Sequence, residues 1–249
     1  MFHIVIPARY GSTRLPGKAL ADIAGEPMLY WVWQRALAAG AQSVTIATDD
    51  SRIESALRAR GAEVVMTRAD HPSGTDRLAE VVSHLGFEDE AIIVNLQGDE
   101  PLMPAANLRQ VAALLEHYPD SAIATLAEPI NDVDTFHNPA AVKVVVGAHD
   151  RALYFSRAPV PWPRDAMMDQ DSAEVMALRH IGLYAYRAGF LRRFGRWGVA
   201  PSEALESLEQ LRALHHGEVI RIERASEPVP SGVDTAADLE AVRALMADR

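Results

Sequence analysis

The sequence predicts an α/β fold in which a mostly parallel central sheet carries helices on both faces, with a smaller β-rich insertion. Along the first half of the chain, short apolar segments alternate with amphipathic ones. The apolar segments are continuous and do not alternate with polar residues, which is typical of strands covered on both faces. Beyond about residue 128, strand segments follow one another with little helix between them, and this predicts the insertion.

Five apolar segments predict the parallel strands, and they cover residues 2–6, 43–48, 62–66, 91–97 and 122–127. Helices are predicted between them. The first has Pro27 in its first turn and Gly40 just past its end, positions that suit these two residue types. The second, over residues 49–61, begins with acids and ends with basic residues, which matches the helix dipole. Two more are predicted over residues 75–85 and 104–117.

The second half of the chain predicts further strands at residues 141–147, 152–157 and 180–187, with a proline-rich loop over 157–165. A helix over residues 202–217, a strand over 218–223 and a last helix from about Thr235 follow. We interpret residues 1–249 as one domain. Within it, residues 128–187 form an insertion or edge extension of the kind that often carries substrate specificity and subunit contacts.

Composition and charge exclude several classes of protein. The chain has 249 residues, 49% of them hydrophobic, which fits a globular domain with a full core. It has no cysteine, so disulfides, zinc–thiolate sites and cysteine nucleophiles are excluded, in agreement with a reducing cytosol. The first apolar run is too short for a signal peptide, and no run approaches the roughly 20 apolar residues that span a bilayer. We expect a cytoplasmic protein that does not insert into membranes.

The charge is unevenly distributed along the chain. A net charge of −10 argues against a nucleic-acid binder, which needs a basic surface. The first 21 residues nevertheless contain Arg9, Arg14 and Lys18 and no acid. A local cationic patch on an acidic protein predicts a site for a small anion.

The basic loop RYGSTRLPGK (residues 9–18) differs from the known phosphate-binding motifs. A P-loop has four residues between its glycines and a hydroxyl after its lysine, whereas five residues separate Gly11 from Gly17 and Ala19 follows Lys18. A dinucleotide-binding glycine pattern is also missing. The loop follows the first strand, so it lies where ligands bind in parallel sheets. There, Arg14 and Lys18 can neutralise charge on a leaving polyphosphate, although a solvated basic loop would have the same composition.

Two carboxylates are candidates for binding a hard cation. Asp99, with Glu100 beside it, follows the strand at residues 91–97, and Asp234 lies in the SGVDT segment near the end of the chain. Carboxylates in such positions suit Mg²⁺, which also bridges phosphate oxygens. Helix capping is the simpler explanation of each, particularly of Asp234. The turn at Ser73, Gly74 and Thr75 likewise precedes a helix, and we expect Thr75 to be its N-cap.

Several long motifs occur in one order along almost the whole chain. They are IPARYGSTRLPGKAL, MTRADHPSGTDRLAE, VNLQGDEP, LYFSRAPVPW, LRHIGLYAYR, LEQLR and SGVDT. Together they resemble those of the sugar-acid cytidylyltransferases. The resemblance implies a Rossmann-like nucleotidyltransferase fold, CTP and a sugar acid as substrates, Mg²⁺ as cofactor, release of pyrophosphate and a homodimer.

The resemblance also implies roles for individual residues. It assigns Asp99 and Asp234 to the metal and to catalysis, together with Arg14 and Lys18 on the leaving pyrophosphate. The nucleotide would contact Ala8, Arg9, Arg14, Lys18, Ser73 and Gln97. An eight-carbon sugar acid has one carboxylate and many hydroxyls, which suit arginine and polar side chains. The residues implied for it are Arg157, Arg164, His180, Tyr184, Glu209 and Gln210.

Three alternatives stay open from the sequence. The acceptor can be another acid, such as a sialic acid, and residues 157–184 are expected to discriminate. A glycosyltransferase would also place acids after a strand, but it releases a nucleoside diphosphate and has less use for the basic loop. A noncatalytic nucleotide sensor would not need two converging carboxylates.

Overall fold

The computed structural model describes residues 1–11, 14–71, 73–164 and 177–247. Residues 12–13 of the basic loop, residue 165 of the predicted proline-rich loop and residues 166–176 of the predicted insertion lie outside these ranges. Along the described residues the strands are β1 (Phe2–Ala8), β2 (Asp22–Ile23), β3 (Glu26–Pro27), β4 (Ser43–Thr48), β5 (Glu63–Met66), β6 (Ile92–Asn95), β7 (Ile123–Ile130), β8 (Lys143–Val146), β9 (Ala152–Ser156), β10 (Ala177–Arg187) and β11 (Ile220–Arg224). The α-helices are α1 (Met28–Ala38), α2 (Ser51–Arg58), α3 (Gly74–His84), α4 (Ala105–His117), α5 (Val133–His137), α6 (Ala188–Phe194), α7 (Pro201–Glu206), α8 (Gln210–His215) and α9 (Ala236–Ala247).

Most strands of the central sheet run in one direction. The sheet has the order β11-β7-β10-β6-β1-β4-β5, and β1 is parallel to both β4 and β6. Strands β6 and β7 are each antiparallel to β10, so they share a direction, and β11 is parallel to β7. Strand β10 is therefore the one reversed member of this path. The predicted α/β fold with a mostly parallel sheet is confirmed.

The β-rich region after residue 128 divides into two parts. Strands β8 and β9 pair with each other, and β8 is joined to the main sheet through two residues of β10. Strand β10 instead lies inside the main sheet, between β6 and β7. Only β8 and β9 thus extend the sheet beyond its main path, and the end of β10 that carries His180 lies next to them.

Apolar side chains bury both faces of the sheet. On one face, Leu29 of α1 and Leu108 of α4 belong to a single buried cluster, and on the other face Leu78 of α3, Phe190 of α6 and Leu211 of α8 form a second. Helices cover the two sides, as the continuous apolar strands predict. The carboxyl ends of the parallel strands stay open at one edge. No helix within the described ranges has the length and apolar composition to cross a bilayer.

The prediction of a single helix over residues 202–217 is wrong. The chain forms α7 and α8 instead, with a break at Ser207, whose φ of 52° is left-handed. A buried ion pair joins the two helices, since Arg212 donates to Glu203 through Nε at 2.8 Å and Nη2 at 2.5 Å. Because of this break, Glu209 lies at the start of α8 and not in the middle of a long helix.

Gly98 allows two loops at the open edge to approach closely. A Cβ atom at this position would lie 2.8 Å from the carbonyl oxygen of Pro7, nearer than real Cβ atoms come to backbone. The loop after β6 therefore packs directly on the end of β1. This contact places the residues that follow Gly98 beside the basic loop.

Gly98→Ala is expected to destabilise the protein by about 1–3 kcal/mol, because the added methyl group forces the two loops apart. Thermal or urea unfolding measures the loss. Gly198→Ala is the matched control, since a Cβ at Gly198 meets nothing within 4 Å. Equal stability of the two variants would contradict the close approach.

Candidate active site

A pocket with a volume of ≈ 350 Å³ opens where β1 and β6 end. It contains most of the residues predicted for the nucleotide and the metal: Ala8, Arg9, Arg14, Lys18, Gln97, Asp99 and Asp234. Gly74, from the turn before α3, also lines it. Four segments that are distant in sequence thus meet at the edge of the sheet, and the geometry brings basic and acidic groups together there.

Lys18 joins the two carboxylates. Its ammonium Nζ donates to Asp99 Oδ2 at 2.7 Å, to the carbonyl oxygen of Val233 at 2.9 Å and to Asp234 Oδ1 at 3.2 Å. Burial alone would lower the pKa of Lys18, but the hydrogen bonds and charges of Asp99 and Asp234 outweigh it, and the pKa is raised. The lysine is therefore a fixed positive charge between two acids.

Two arginines of the basic loop lie at the same pocket. Arg14 Nη2 lies 2.9 Å from Asp234 Oδ1, and both side chains are largely exposed. Arg9 donates to the carbonyl oxygen of His71, in the segment that leads to α3. An exposed ion pair contributes little to stability, so Arg14 is free to exchange Asp234 for an anionic ligand.

Asp99 and Asp234 can hold a divalent cation together. Their oxygens Oδ2 and Oδ1 converge on one ammonium, so the same space admits a single hard cation between them. Within the described ranges no group of three or more acidic or histidine side chains is placed to bind a metal. Two carboxylates suit Mg²⁺, which keeps several waters and takes phosphate oxygens as further ligands.

Glu100 is a third acid close to this pair. A Cβ atom at Gly232 would lie 2.9 Å from Glu100 Oε1, so the SGVDT segment packs against the glutamate. Burial raises the pKa of Glu100 to about 8, and the negative charge of Asp99 contributes. Its proton removes one negative charge from a crowded acidic site.

The turn before α3 differs in one respect from expectation. Ser73, and not Thr75, is the N-cap, because the Ser73 hydroxyl accepts from the Asp76 amide at 3.2 Å. The Thr75 hydroxyl instead donates to Glu209 Oε1 at 2.6 Å. Proline and glycine before Thr75 make the turn recognisable, but three adjacent candidates leave the capping residue ambiguous from sequence.

Arg77 anchors this turn from below, and sequence reasoning gave it no role. It is fully buried, donating to Asp49 Oδ2 at 3.0 Å and to the hydroxyl of Thr67. Asp49 follows β4 and Thr67 follows β5, so one guanidinium ties two loops at the open edge of the sheet to α3. The buried charge requires these partners, because an unpaired one would be strongly destabilising.

His180 and Tyr184 lie together on β10. The ring centroids are 5.2 Å apart, and His180 Nε2 lies 2.9 Å from Thr125 Oγ1 on the neighbouring strand β7. Burial lowers the pKa of His180 to about 3, with a further contribution from the charge of Arg179. The imidazole is neutral at physiological pH and can only exchange neutral hydrogen bonds with a ligand.

Glu209 and Gln210 begin α8, and the Gln210 side chain is buried. Burial raises the pKa of Glu209, although the hydroxyls of Thr75 and Ser73 oppose this effect. Tyr184 and Tyr186 lie close enough for the charge of Glu209 to contribute to their raised pKa values, for which burial is the main cause. The start of α8 therefore faces the polar end of β10.

The two arginines predicted for the sugar site, Arg157 and Arg164, lie in the segment that follows β9. Arg157 is tied to the break between α7 and α8, since its Nε donates to the Glu206 carbonyl oxygen at 2.6 Å and its amide to Glu206 Oε2 at 2.8 Å. Arg164 is exposed and is the last described residue before position 177. The sugar contacts of both arginines stay predictions.

A sequence profile of the cytidylyltransferase family matches residues 3–221. A 3-deoxy-manno-octulosonate cytidylyltransferase from Halorhodospira halophila is 59% identical over 97% of this chain and 95% of its own length. The chain belongs to the cytidylyltransferase family. Another member with the same activity in its name, from Pseudomonas syringae pv. tomato, is 56% identical over 98% of both chains. The resemblance that the motifs carry is thereby confirmed.

Two solved structures have a similar fold. A CMP:2-keto-3-deoxy-manno-octonic acid synthetase complexed with CTP superposes with a TM-score of 0.90 at 45% identity, covering 100% of this chain and 99% of the other. A nucleotidyl transferase from Methanothermobacter superposes with a TM-score of 0.65 at 18% identity, covering 100% and 98%. This second likeness extends to the fold alone.

Glu100→Gln is expected to remove a pH-dependent loss of stability. Because burial raises the pKa of Glu100 from 4.5 to about 8, the folded protein keeps a proton that the unfolded chain releases. The free energy of unfolding of the wild type therefore falls between about pH 5 and pH 8, by on the order of 2–4 kcal/mol, and the variant lacks this fall. Urea unfolding of both proteins across that range, in EDTA, measures the difference. Parallel pH profiles would contradict the raised pKa.

Proposed function

We propose that this chain is a 3-deoxy-manno-octulosonate cytidylyltransferase, which transfers the cytidylyl group of CTP to the sugar acid and releases pyrophosphate. Full-length relatives with 54–59% identity carry that activity in their names, and a structure with 45% identity is a synthetase of this kind complexed with CTP. The observation that carries the proposal is the convergence of Lys18, Asp99 and Asp234 at one end of the pocket. A triphosphate and a hard cation require this combination of charges.

CTP would bind with its triphosphate on the basic loop. Arg14 and Lys18 have the charge to stabilise pyrophosphate as it leaves, and Arg9 lies at the same pocket. The base would contact the backbone at Ala8 and the side chains of Ser73 and Gln97. Hydrogen-bonding groups are required there, because an apolar slot cannot distinguish cytosine from uracil.

Asp99 and Asp234 would hold Mg²⁺. When bound, the cation offsets repulsion between the anionic acceptor and the triphosphate and lowers the pKa of the attacking hydroxyl. Lys18, which contacts both carboxylates in this structure, would then be available to the phosphates. The same two acids thus serve the lysine and the metal in turn.

The sugar acid would lie between β10 and the start of α8. His180, Tyr184, Glu209 and Gln210 supply neutral and acidic partners for hydroxyl groups, and Arg157 and Arg164 are the candidates for the carboxylate. In the reaction the oxygen of the anomeric hydroxyl forms a bond to the α-phosphorus as the bond to the β-phosphate oxygen breaks. The hydroxyl proton passes to solvent, and pyrophosphate carries the bonding electrons away. No covalent enzyme intermediate is required.

Assembly, location and pathway belong to the same proposal. Strand β9 exposes Leu153 and Tyr154 and, in the part of the chain that the structure describes, pairs only with β8. This supports a homodimer, with a mass of twice 27.2 kDa in light scattering. We further propose that the enzyme acts in the cytoplasm and that its product supplies lipopolysaccharide biosynthesis, because the activated sugar acid is a building block that a later transferase must consume.

Pyrophosphate release from CTP and Mg²⁺ tests the substrate directly. We expect release with 3-deoxy-manno-octulosonate and little with its 8-amino derivative or a sialic acid. If only the 8-amino derivative or only a sialic acid gives release, the assignment of the sugar acid is wrong, but the assignment of the reaction type still holds. Hydrolysis of a nucleotide sugar, with no pyrophosphate from any acid, would favour the glycosyltransferase alternative.

Asp99→Asn and Asp234→Asn are each expected to reduce turnover by on the order of 100-fold or more, because each removes one negative charge from the cation site. Both variants should fold, since neither acid is fully buried. Asp134→Asn, at an exposed acid of α5, is the control and should keep wild-type turnover. Near-normal turnover in either test variant would remove that residue from the metal site.

A further inference from the structure

A side-chain hydrogen bond connects the nucleotide side of the site to its sugar side. The Thr75 hydroxyl donates to Glu209 Oε1 at 2.6 Å across 134 positions of sequence. Thr75 is 1% exposed, so this contact is shielded from solvent. The bond joins the first turn of α3, on the nucleotide side, to the start of α8, on the sugar side.

The helix itself does not need this hydroxyl. Ser73 accepts from the Asp76 amide and donates to Asp76 Oδ2 at 2.7 Å, which caps α3 without Thr75. Threonine also has lower helix propensity than most residues. The Thr75 hydroxyl is therefore not needed as a helix cap, and it donates to Glu209 instead.

Thr75 is rigidly linked to the nucleotide pocket. The preceding residue, Gly74, lines that pocket, and a Cβ atom there would lie 4.0 Å from the ring of Pro7 at the end of β1. Two positions on, Arg77 fixes the same turn from below through Asp49 and Thr67. A ligand that contacts Gly74 therefore also contacts the backbone that sets the orientation of the Thr75 hydroxyl.

Glu209 has one oxygen engaged and one available. Oε1 accepts from Thr75, whereas Oε2 is buried and has no hydrogen-bond partner among the described residues. A buried carboxylate oxygen without a donor is costly, and a hydroxyl-rich ligand would satisfy it. The direction of Oε2 is set by the bond that holds Oε1.

We propose that Thr75 is a positioning residue that couples the two substrate pockets, because its hydroxyl holds Glu209 in the orientation that receives the sugar acid. This inference rests on the proposed function. A nucleotide in contact with Gly74 acts on the backbone of the turn, the turn positions Thr75, and Thr75 holds Glu209 with its second oxygen toward the sugar acid. Linkage is reciprocal, so each substrate raises the affinity for the other by the same factor.

Calorimetric titration measures the coupling without turnover. The dissociation constant of 3-deoxy-manno-octulosonate is determined with Mg²⁺, in the absence and presence of saturating α,β-methylene-CTP. For the wild type we expect the dissociation constant of the sugar acid to be about fivefold lower, or lower still, when the analogue is present. Thr75→Val should bring this ratio close to one and leave the affinity for the analogue alone unchanged, whereas Thr75→Ser should keep the ratio because it keeps the hydroxyl.

Thr45→Val is the matched control, because Thr45 of β4 is 2% exposed and lies outside the site. Its ratio should equal that of the wild type. A wild-type ratio of one, or an undiminished ratio in Thr75→Val, would overturn the inference. If Thr75→Val fails to fold, loss of the ratio in Thr75→Ser would overturn it as well. Pyrophosphate release by the wild type separates these outcomes from failure of the proposed function, which would abolish release altogether.

Discussion

The interaction on which the site depends is the contact of one ammonium with two carboxylates. Lys18 belongs to the loop after β1, Asp99 to the loop after β6, and Asp234 to the segment before α9. The two carboxylates repel each other at this separation, and the charge of Lys18 offsets that repulsion. A cation at this point therefore helps to hold the three segments together. Because the space between Asp99 and Asp234 requires a positive charge, it is also suitable for a metal ion.

The backbone permits this arrangement only because side chains are missing at two positions. Gly98 brings the loop after β6 onto the end of β1, and Gly232 brings the last segment onto Glu100. Arg77 and its partners fix the neighbouring turn. Glu100 keeps a proton up to about pH 8 because burial raises its pKa, which limits the net negative charge near Asp99 and Asp234. Close packing and charge balance therefore act on the same few residues.

Local signals in the sequence were sufficient for most of the fold. Continuous apolar segments identified the strands of the parallel sheet, and the position of the basic loop after the first strand indicated the ligand crevice. The long motifs identified the family, which the full-length relatives confirm. The sequence does not indicate the break at Ser207, because residues 202–217 have an uninterrupted helical pattern and the Arg212–Glu203 pair across the break forms only in the folded chain. The contact of Thr75 with Glu209 has no local signal either, since 134 positions separate the two residues.

We propose that Asp99 and Asp234 form one cation site, from which Lys18 is displaced by the metal when the nucleotide binds. Anomalous diffraction from a crystal grown with CTP and Mn²⁺ tests it directly. We expect an anomalous peak between the two carboxylates, with Lys18 Nζ on phosphate oxygens of the nucleotide. A peak elsewhere, or Lys18 still bridging Asp99 and Asp234 beside bound CTP, would contradict the account.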